Sequence, residues 1–274
     1  MIEKHRHITD LLLQSHGIDA SGYDPSFLSK SIQKRITETQ CGSDEAYYIL
    51  LEQSNDEGKR FFDSLHISHS EFFRNPLTFA VLERIILPAM VVHTKKTKRK
   101  EIRIWSAACA AGQEPYSLAM LLEELKNSDS EKFNYRIFAT DHNETQVAEA
   151  LSGQYAAEAL NSLNLKRVKQ WFTKSGETYT VKPELKNNID FSVFDLFSEH
   201  FSCPPSSIFG DFDLVVCANL LFYYNPGYRK MILEKTGNSM ASGGFLVTGE
   251  AERDMLKNHY FHEVYPQSGI FQKN

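Results

Sequence analysis

Apolar residues recur at every third or fourth position through DLLLQSHGI, DPSFLSKSIQKRI, SDEAYYILLEQS and NPLTFAVLERIILPAMVV. That period predicts helices over residues 1 to about 92, with no strand alternation among them. Asp24, Ser43 and Asn75 fit helix N-caps, and Pro25 and Pro76 follow two of them, where a missing N–H breaks no helical bond. HTKKTKRKE, residues 93–101, is basic and polar, which suits an exposed linker.

From Ile102 the period changes. IRIWSA and YRIFAT are short β-type runs, each followed by a helical pattern, in EPYSLAMLLEEL and DHNETQVAEALSG. IDFSVFD, FDLVVCAN and GGFLVTGE supply further strands, with PGYRKMILEKTGNSM as a helix between the last two. Strands alternating with helices of this length predict an α/β fold built on a mostly parallel sheet. FHEVYPQSGIFQKN reads as two strands around a turn at Pro266-Gln267-Ser268-Gly269, an antiparallel edge to that sheet. ETYTVKP predicts a small hairpin within the polar stretch between Tyr155 and Asp190.

Composition narrows the class. The 274 residues are 42% hydrophobic and 24% charged, an ordinary globular balance with length for one large or two smaller domains. A net charge of −5 leaves no basic surplus to neutralise phosphates, so nucleic acid is not an expected partner. FAVLERIILPAMVV is interrupted by Glu83, Arg84 and Pro88, and MIEKHRHITD has no apolar signal core. A cytoplasmic protein with no membrane insertion is expected. The scattered Cys41, Cys109, Cys203 and Cys217 then read as reduced thiols. His66-x-x-His69 lacks a companion cluster, and no metal is expected.

In an open α/β sheet, ligands gather at the carboxyl ends of the strands. The first such end is Ala107-Ala108-Cys109-Ala110-Ala111-Gly112, a loop of small side chains. It has neither a Lys-Ser/Thr pair nor GxGxxG, which disfavours a phosphate cradle and a nicotinamide-dependent dehydrogenase. Glu114 follows, either as an acid favoured by the helix dipole or as a partner for a ligand ammonium. Asp141 ends the next strand, placed to accept ribose hydroxyls, while Asp141-x-x-Glu144 equally fits a capping box. Phe194-Asp195-Leu196 is either a simple strand-ending turn or a polar and apolar edge for an adenine ring. Cys217-Ala218-Asn219 runs on into Tyr223 and Tyr224, residues that serve the core as readily as a site. Upstream, Ser68-x-x-Glu71 fits a capping box and Phe72 and Phe73 a core contact, which leaves Arg74 a cation in need of a partner.

Taken in order, SEFFRNP, IWSAACAAGQEPYSLAM, ATDHNETQVAEALSGQY, FDLVVCANLLFYYNP and SGGFLVTGEAE closely resemble the CheR family. These are S-adenosylmethionine-dependent methyltransferases that esterify glutamates on bacterial chemoreceptors. The resemblance covers nearly the whole chain, DPSFLSKSIQKRI included. It implies a small all-helical N-terminal domain, residues 1–92, for substrate recognition. A Rossmann-like class I methyltransferase domain would follow over residues 102–274, with a small inserted β-subdomain at ETYTVKP. S-adenosylmethionine would be the cofactor, S-adenosylhomocysteine its product, and the receptor's cytoplasmic helical bundle the protein partner of a monomeric enzyme.

By matching motif, Ser68, Ser70 and Arg74 would contact the cofactor or the reaction centre, with Ala108 and Gly112 in the first loop. Glu114 would meet the amino group of the methionine part and Asp141 the ribose hydroxyls. Asp195, Leu196, Ala218 and Asn219 would line the adenine and sulfonium ends. Arg74 and Tyr223 would orient the substrate carboxylate, and Lys30, Lys34 and Arg35 would meet the receptor. A glutamate with a pKa near ~4.3 is ionised at neutral pH and needs no general base, so the lack of an obvious catalytic His or Cys agrees with this chemistry.

Several letters depart from the family pattern. Ala218 stands where Arg is usual, Gln113 where Glu is usual, Asp195 for Asn and Ser70 for Thr. Residues 1–75 hold eight Lys/Arg and twelve Asp/Glu, a sum of −4, so only the Lys30/Lys34/Arg35 face stays positive. These departures motivate a second reading, a non-catalytic relative that binds the cofactor or its product as a regulatory module.

Overall fold

The computed structural model describes residues 6–65, 69–96, 101–128, 133–207, 209–256 and 261–273. The chain divides into two compact units, Met1–Ile67 with Phe222–Met231, and Ser68–Leu221 with Ile232–Asn274.

In the first unit, α1 (Arg6–His16), α2 (Pro25–Thr39), α3 (Asp44–Gln53) and α4 (Asn55–Leu65) bury Ile8, Leu12, Ile32, Tyr47, Leu51 and Phe61 in one core. Asp24 caps α2 by accepting from the Ser26 N–H, and Ser43 caps α3 by accepting from the Ala46 N–H, as their positions predict. Residues 222–231 complete this unit. The Tyr224 ring stacks on Tyr23 at 5.3 Å, the Asp24 N–H donates to the Tyr223 carbonyl at 2.8 Å, and Arg229 pairs with Asp24 at 3.1 Å.

The second unit opens with a helical run, α5 (Pro76–Val81), a π turn (Leu82–Ile86) and α6 (Leu87–Lys96). The division expected near residue 92 therefore falls earlier. Leu82, Ile86, Leu87, Met90 and Val91 are buried in the same core as the sheet, which ties this run to the second unit. Pro76–Lys95 has the length and apolarity of a membrane span, yet its inner face is this packed core. The expected linker is also shorter: α6 runs to Lys96 and strand β1 starts at Glu101, with residues 97–100 outside the described set. Asn75 makes no side-chain cap bond, because it sits in the left-handed region at φ 63°.

The main sheet takes β1 (Glu101–Ser106), β2 (Asn134–Asp141), β6 (Ile189–Val193), β7 (Phe212–Val216), β8 (Met240–Val247), β9 (Phe261–Glu263) and β10 (Ile270–Lys273), in the order β6-β2-β1-β7-β8-β10-β9. All pairs are parallel except those of β10, which supplies the expected antiparallel edge. The helices α7 (Gln113–Ser128) and α8 (Glu144–Ser152) follow β1 and β2, and α11 (Pro226–Ser239) precedes β8. Between β2 and β6 lies an insertion, with β3 (Gln154–Ala156), α9 (Leu165–Trp171), β4 (Phe172–Ser175), β5 (Thr178–Val181) and the short α10 (Pro183–Lys186). Its strands form a separate antiparallel sheet, β3-β5-β4, of which the predicted hairpin is the β4–β5 part. Strand order reverses around β1, so the loops leaving β1 and β7 part there and open a crevice at the carboxyl edge.

Candidate active site

The loop after β1 is tied to both neighbouring strands. The Ala107 N–H donates to the Val216 carbonyl at 2.8 Å and the Cys109 N–H to the Thr140 carbonyl at 2.9 Å. Between these ties the chain turns through Ala110 (φ 45°) and Gly112 (φ 91°) in the left-handed region. A Cβ on Gly112 would lie 2.9 Å from the Ala150 Cβ on α8, so only glycine fits this close approach. The Ser106 hydroxyl, at the end of β1, donates to Glu114 Oε1 at 2.7 Å.

Glu114 keeps part of its surface open although protein surrounds it, so its carboxylate is recessed. Desolvation pushes its pKa up to about 7, against the Ser106 hydrogen bond and the Arg74 charge, with Glu252 adding a repulsion. Its other ionisable neighbours, the Cys109 and Cys217 thiols, are buried and pushed well up by desolvation, which keeps them neutral. Beside it, Gln113 Oε1 is buried with no hydrogen-bond partner among the described residues.

Asp141 joins the first two strand ends. Its Oδ2 accepts the Ala110 N–H at 2.9 Å and its Oδ1 the Asn143 N–H at 3.0 Å, while His142 Nδ1 lies at 3.4 Å. Asn143 is the residue that caps α8, accepting from the Thr145 and Gln146 N–H groups, so the capping box read at Asp141 shifts by two positions. Each carboxylate oxygen retains acceptor capacity. Next along the edge, the Phe194 N–H donates to the Asp141 carbonyl at 2.9 Å, Leu196 is buried, and the exposed Asp195 accepts from the Phe197 N–H at 2.8 Å.

At the end of β7, Ala218 packs against the core and Asn219 takes a left-handed φ of 62°. Their support is Glu252, a fully buried carboxylate that sequence reasoning passed over. It accepts from the Asn219 N–H at 2.8 Å, the Leu221 N–H at 2.6 Å and the Gly249 N–H at 2.7 Å. The one available signal was an acid in TGEAE just beyond an apolar strand, where a buried loop needs an acceptor.

Arg74 sits between two residues in the left-handed region, Phe73 (φ 53°) and Asn75 (φ 63°). The Phe73 N–H donates to Ser117 Oγ at 3.0 Å, and Ser117 in turn donates to the Gln113 carbonyl at 2.6 Å. Arg74 Nη1 donates to the His69 carbonyl at 2.8 Å, and no carboxylate lies at ion-pair distance from it among the described residues. Residues 69–75 form no helix, so the capping box read at Ser68 and Glu71 has no helix to start. Ser70 is half-buried in this segment and Ser68 lies outside the described residues.

Tyr223, Lys30, Lys34 and Arg35 belong to the first unit. Tyr223 packs edge-on to Phe27 at 4.9 Å. Lys30 is exposed, and Lys34 lies 3.8 Å from Glu38 with its side chain 67% exposed. Arg35 is engaged within its own unit. Its Nε and Nη2 donate to Glu57 at 2.9 and 2.6 Å and Nη1 to Glu38 at 2.6 Å, while Tyr47 donates to the same Glu57 at 2.8 Å. A guanidinium so engaged and 12% exposed holds α2 to α4.

Residues 68–270 match the family model of the CheR methyltransferase SAM-binding domain, and residues 5–66 that of the CheR all-alpha domain. The chain belongs to the CheR family. Chemotaxis protein methyltransferase 1 of Pseudomonas aeruginosa is 31% identical to it, over 87% of this chain and 86% of that one. The chemotaxis protein methyltransferase of Listeria innocua is 28% identical over 90% and 88%. Among solved structures, the N-methyltransferase NodS of Bradyrhizobium japonicum with S-adenosyl-L-homocysteine aligns over 70% of this chain and 87% of that one, at 15% identity and a TM-score of 0.35.

The protein is thus an S-adenosylmethionine-dependent methyltransferase of the chemotaxis family. The donor set fits that cofactor. A recessed carboxylate suits an ammonium, an aspartate with spare acceptor capacity suits a hydroxyl pair, and a loop of methyl groups crosses between them.

Proposed function

We propose that this CheR-family enzyme methylates glutamate side chains on the cytoplasmic helices of chemoreceptors, giving glutamyl methyl esters and S-adenosylhomocysteine. The observation that carries the reading is Arg74, a half-buried cation near Glu114 that donates to one backbone carbonyl and has no carboxylate at ion-pair distance among the described residues. Such a group is short of an anion, and a substrate carboxylate supplies one.

In this reading Glu114 binds the cofactor's ammonium, Asp141 its ribose hydroxyls, and the segments at Asp195–Leu196 and Ala218–Asn219 flank its adenine and sulfur ends. S-adenosylmethionine supplies a methyl group on a positively charged sulfur. Arg74 orients a carboxylate that is already ionised, so no residue has to remove a proton. Lys30 and Lys34 remain the exposed cations of α2 for the receptor's acidic helices.

The test is transfer of labelled methyl from the cofactor to receptor cytoplasmic fragments, read as base-labile ester. Arg74→Ala is expected to lower turnover by about 10²–10³-fold, the loss typical of a preorganised charge donor. No ester on any receptor fragment from the same cell, with cofactor binding intact, would overturn the substrate assignment.

A further inference from the structure

The loop carrying Arg74 is flanked by two left-handed residues: Asn75, a type that enters this region readily, and Phe73, for which it is strained by about 1–2 kcal/mol. Strain of this kind persists only where the surroundings over-determine it. Phe72 is one anchor, fully buried and edge-on to Tyr155 at 5.0 Å and Phe172 at 5.6 Å. Phe73 is the other. Its N–H is held by Ser117, its ring leans on Phe79 at 5.1 Å, and the Arg167 guanidinium lies 4.3 Å from the centre of that ring.

Arg167 is itself fixed on three sides. It grips Glu124 on α7 through Nε and Nη2 at 3.0 and 2.8 Å, and Nη2 also donates to Glu83 at 2.7 Å. Trp171 Nε1 donates to the same Glu124 at 3.2 Å. Glu83 lies within the π turn, an irregularity frequent at functional sites. A cation held by two carboxylates and laid on an aromatic face is a rigid platform. Arg167 sits on α9, inside the insertion, so the platform reaches from the insertion to the residue next to Arg74.

We propose that Arg167 is a positioning residue for methyl transfer: stacked on Phe73 and clamped by Glu124 and Glu83, it holds the Phe73–Asn75 turn that aims Arg74. The inference rests on the placement of Arg74 at the cofactor site given above.

Glu114 provides a readout that loss of stability alone does not move. The Arg74 charge favours the ionised form of Glu114, against desolvation and Glu252. Displacing Arg74 therefore moves the pH midpoint of S-adenosylhomocysteine binding upward. Calorimetric titration of S-adenosylhomocysteine from pH 6 to 8.5 would compare wild type with Arg167→Ala, Arg74→Ala and the pair. Arg167→Ala is expected to raise the midpoint in the same direction as Arg74→Ala, and the pair to go no further than Arg74→Ala alone. Turnover on the receptor fragment should fall about tenfold or more in Arg167→Ala at saturating cofactor. Should Arg167→Ala not fold, Phe73→Leu removes the stacked ring at similar volume and must give the same upward shift.

An unchanged midpoint in the folded variant, whatever its melting temperature, overturns the proposal, as does an additive shift in the pair. An unchanged midpoint in Arg74→Ala instead overturns the placement of Arg74, a separate failure.

Discussion

The Ser106 hydroxyl donates a 2.7 Å hydrogen bond to Glu114, joining the last residue of β1 to the first turn of α7. That bond and the Arg74 charge oppose a larger effect, desolvation, and the carboxyl settles at about 7. Only the ionised form pairs with an ammonium. Affinity for S-adenosylhomocysteine is therefore expected to fall below pH 7, by up to about tenfold per unit, and to level off above it. Glu114→Gln should bind weakly at every pH and lose the dependence, as measured by calorimetry.

The same group affects the ligand-free protein. Its folded pKa lies above the ordinary 4.5, so as pH rises from there to about 7 the unfolded chain releases a proton that the folded chain retains. The contribution of Glu114 is thus a loss of stability across that window and no further change above it. Glu114→Gln is expected to remove this slope, seen as a melting temperature at pH 7 that is higher relative to pH 5 than in the wild type.

Gly112→Ala tests the close approach of the β1 loop to α8. The new methyl meets Ala150 Cβ at 2.9 Å and the backbone stays at positive φ, so a loss of about 1–3 kcal/mol is expected by denaturant titration. Cofactor affinity should fall with it, because the loop is tied to Asp141 through the Ala110 N–H.

Glu252→Ala leaves the Asn219, Leu221 and Gly249 N–H groups buried without an acceptor. At about 1–3 kcal/mol for a buried donor, a destabilisation of several kcal/mol is expected by chemical denaturation. Glu252→Gln keeps the shape and one acceptor, and should recover part of the loss and part of the cofactor affinity.

Arg35 and Lys30 share a helix, and the expected consequences of removing them diverge. Arg35→Ala leaves Glu57 buried and uncompensated, with about 3–5 kcal/mol of destabilisation expected in thermal or denaturant unfolding. Lys30→Ala, at an exposed position, should leave stability unchanged within about 0.5 kcal/mol and raise KM for the receptor fragment.

Periodicity was a good guide wherever one face of an element meets one core. The alternation of strand and helix after Ile102 and the antiparallel edge at Ile270–Lys273 both follow from it. It gave a poor guide to the run from Pro76 to Lys96, because a helix buried against a sheet and one buried in a bundle show the same three-to-four spacing. The engagement of Arg35 is hidden from periodicity for a related reason: a basic residue on a helix looks exposed until its carboxylate partner, here on α4, is placed beside it. Glu252 escaped notice because its three partners are backbone N–H groups, which no side-chain pattern announces.

Residues 222–231 return to the helical unit about a hundred and fifty positions after its first segment ends at Ile67, with Tyr224 on Tyr23 and Arg229 on Asp24. The unit that carries Lys30 and Lys34 therefore also carries Tyr223. A graft that exchanges this unit between relatives needs two segments of chain, since a single cut near residue 67 would strand Tyr23 and Asp24 without their partners. The helical unit is therefore inherited whole only when two distant stretches of the gene travel together.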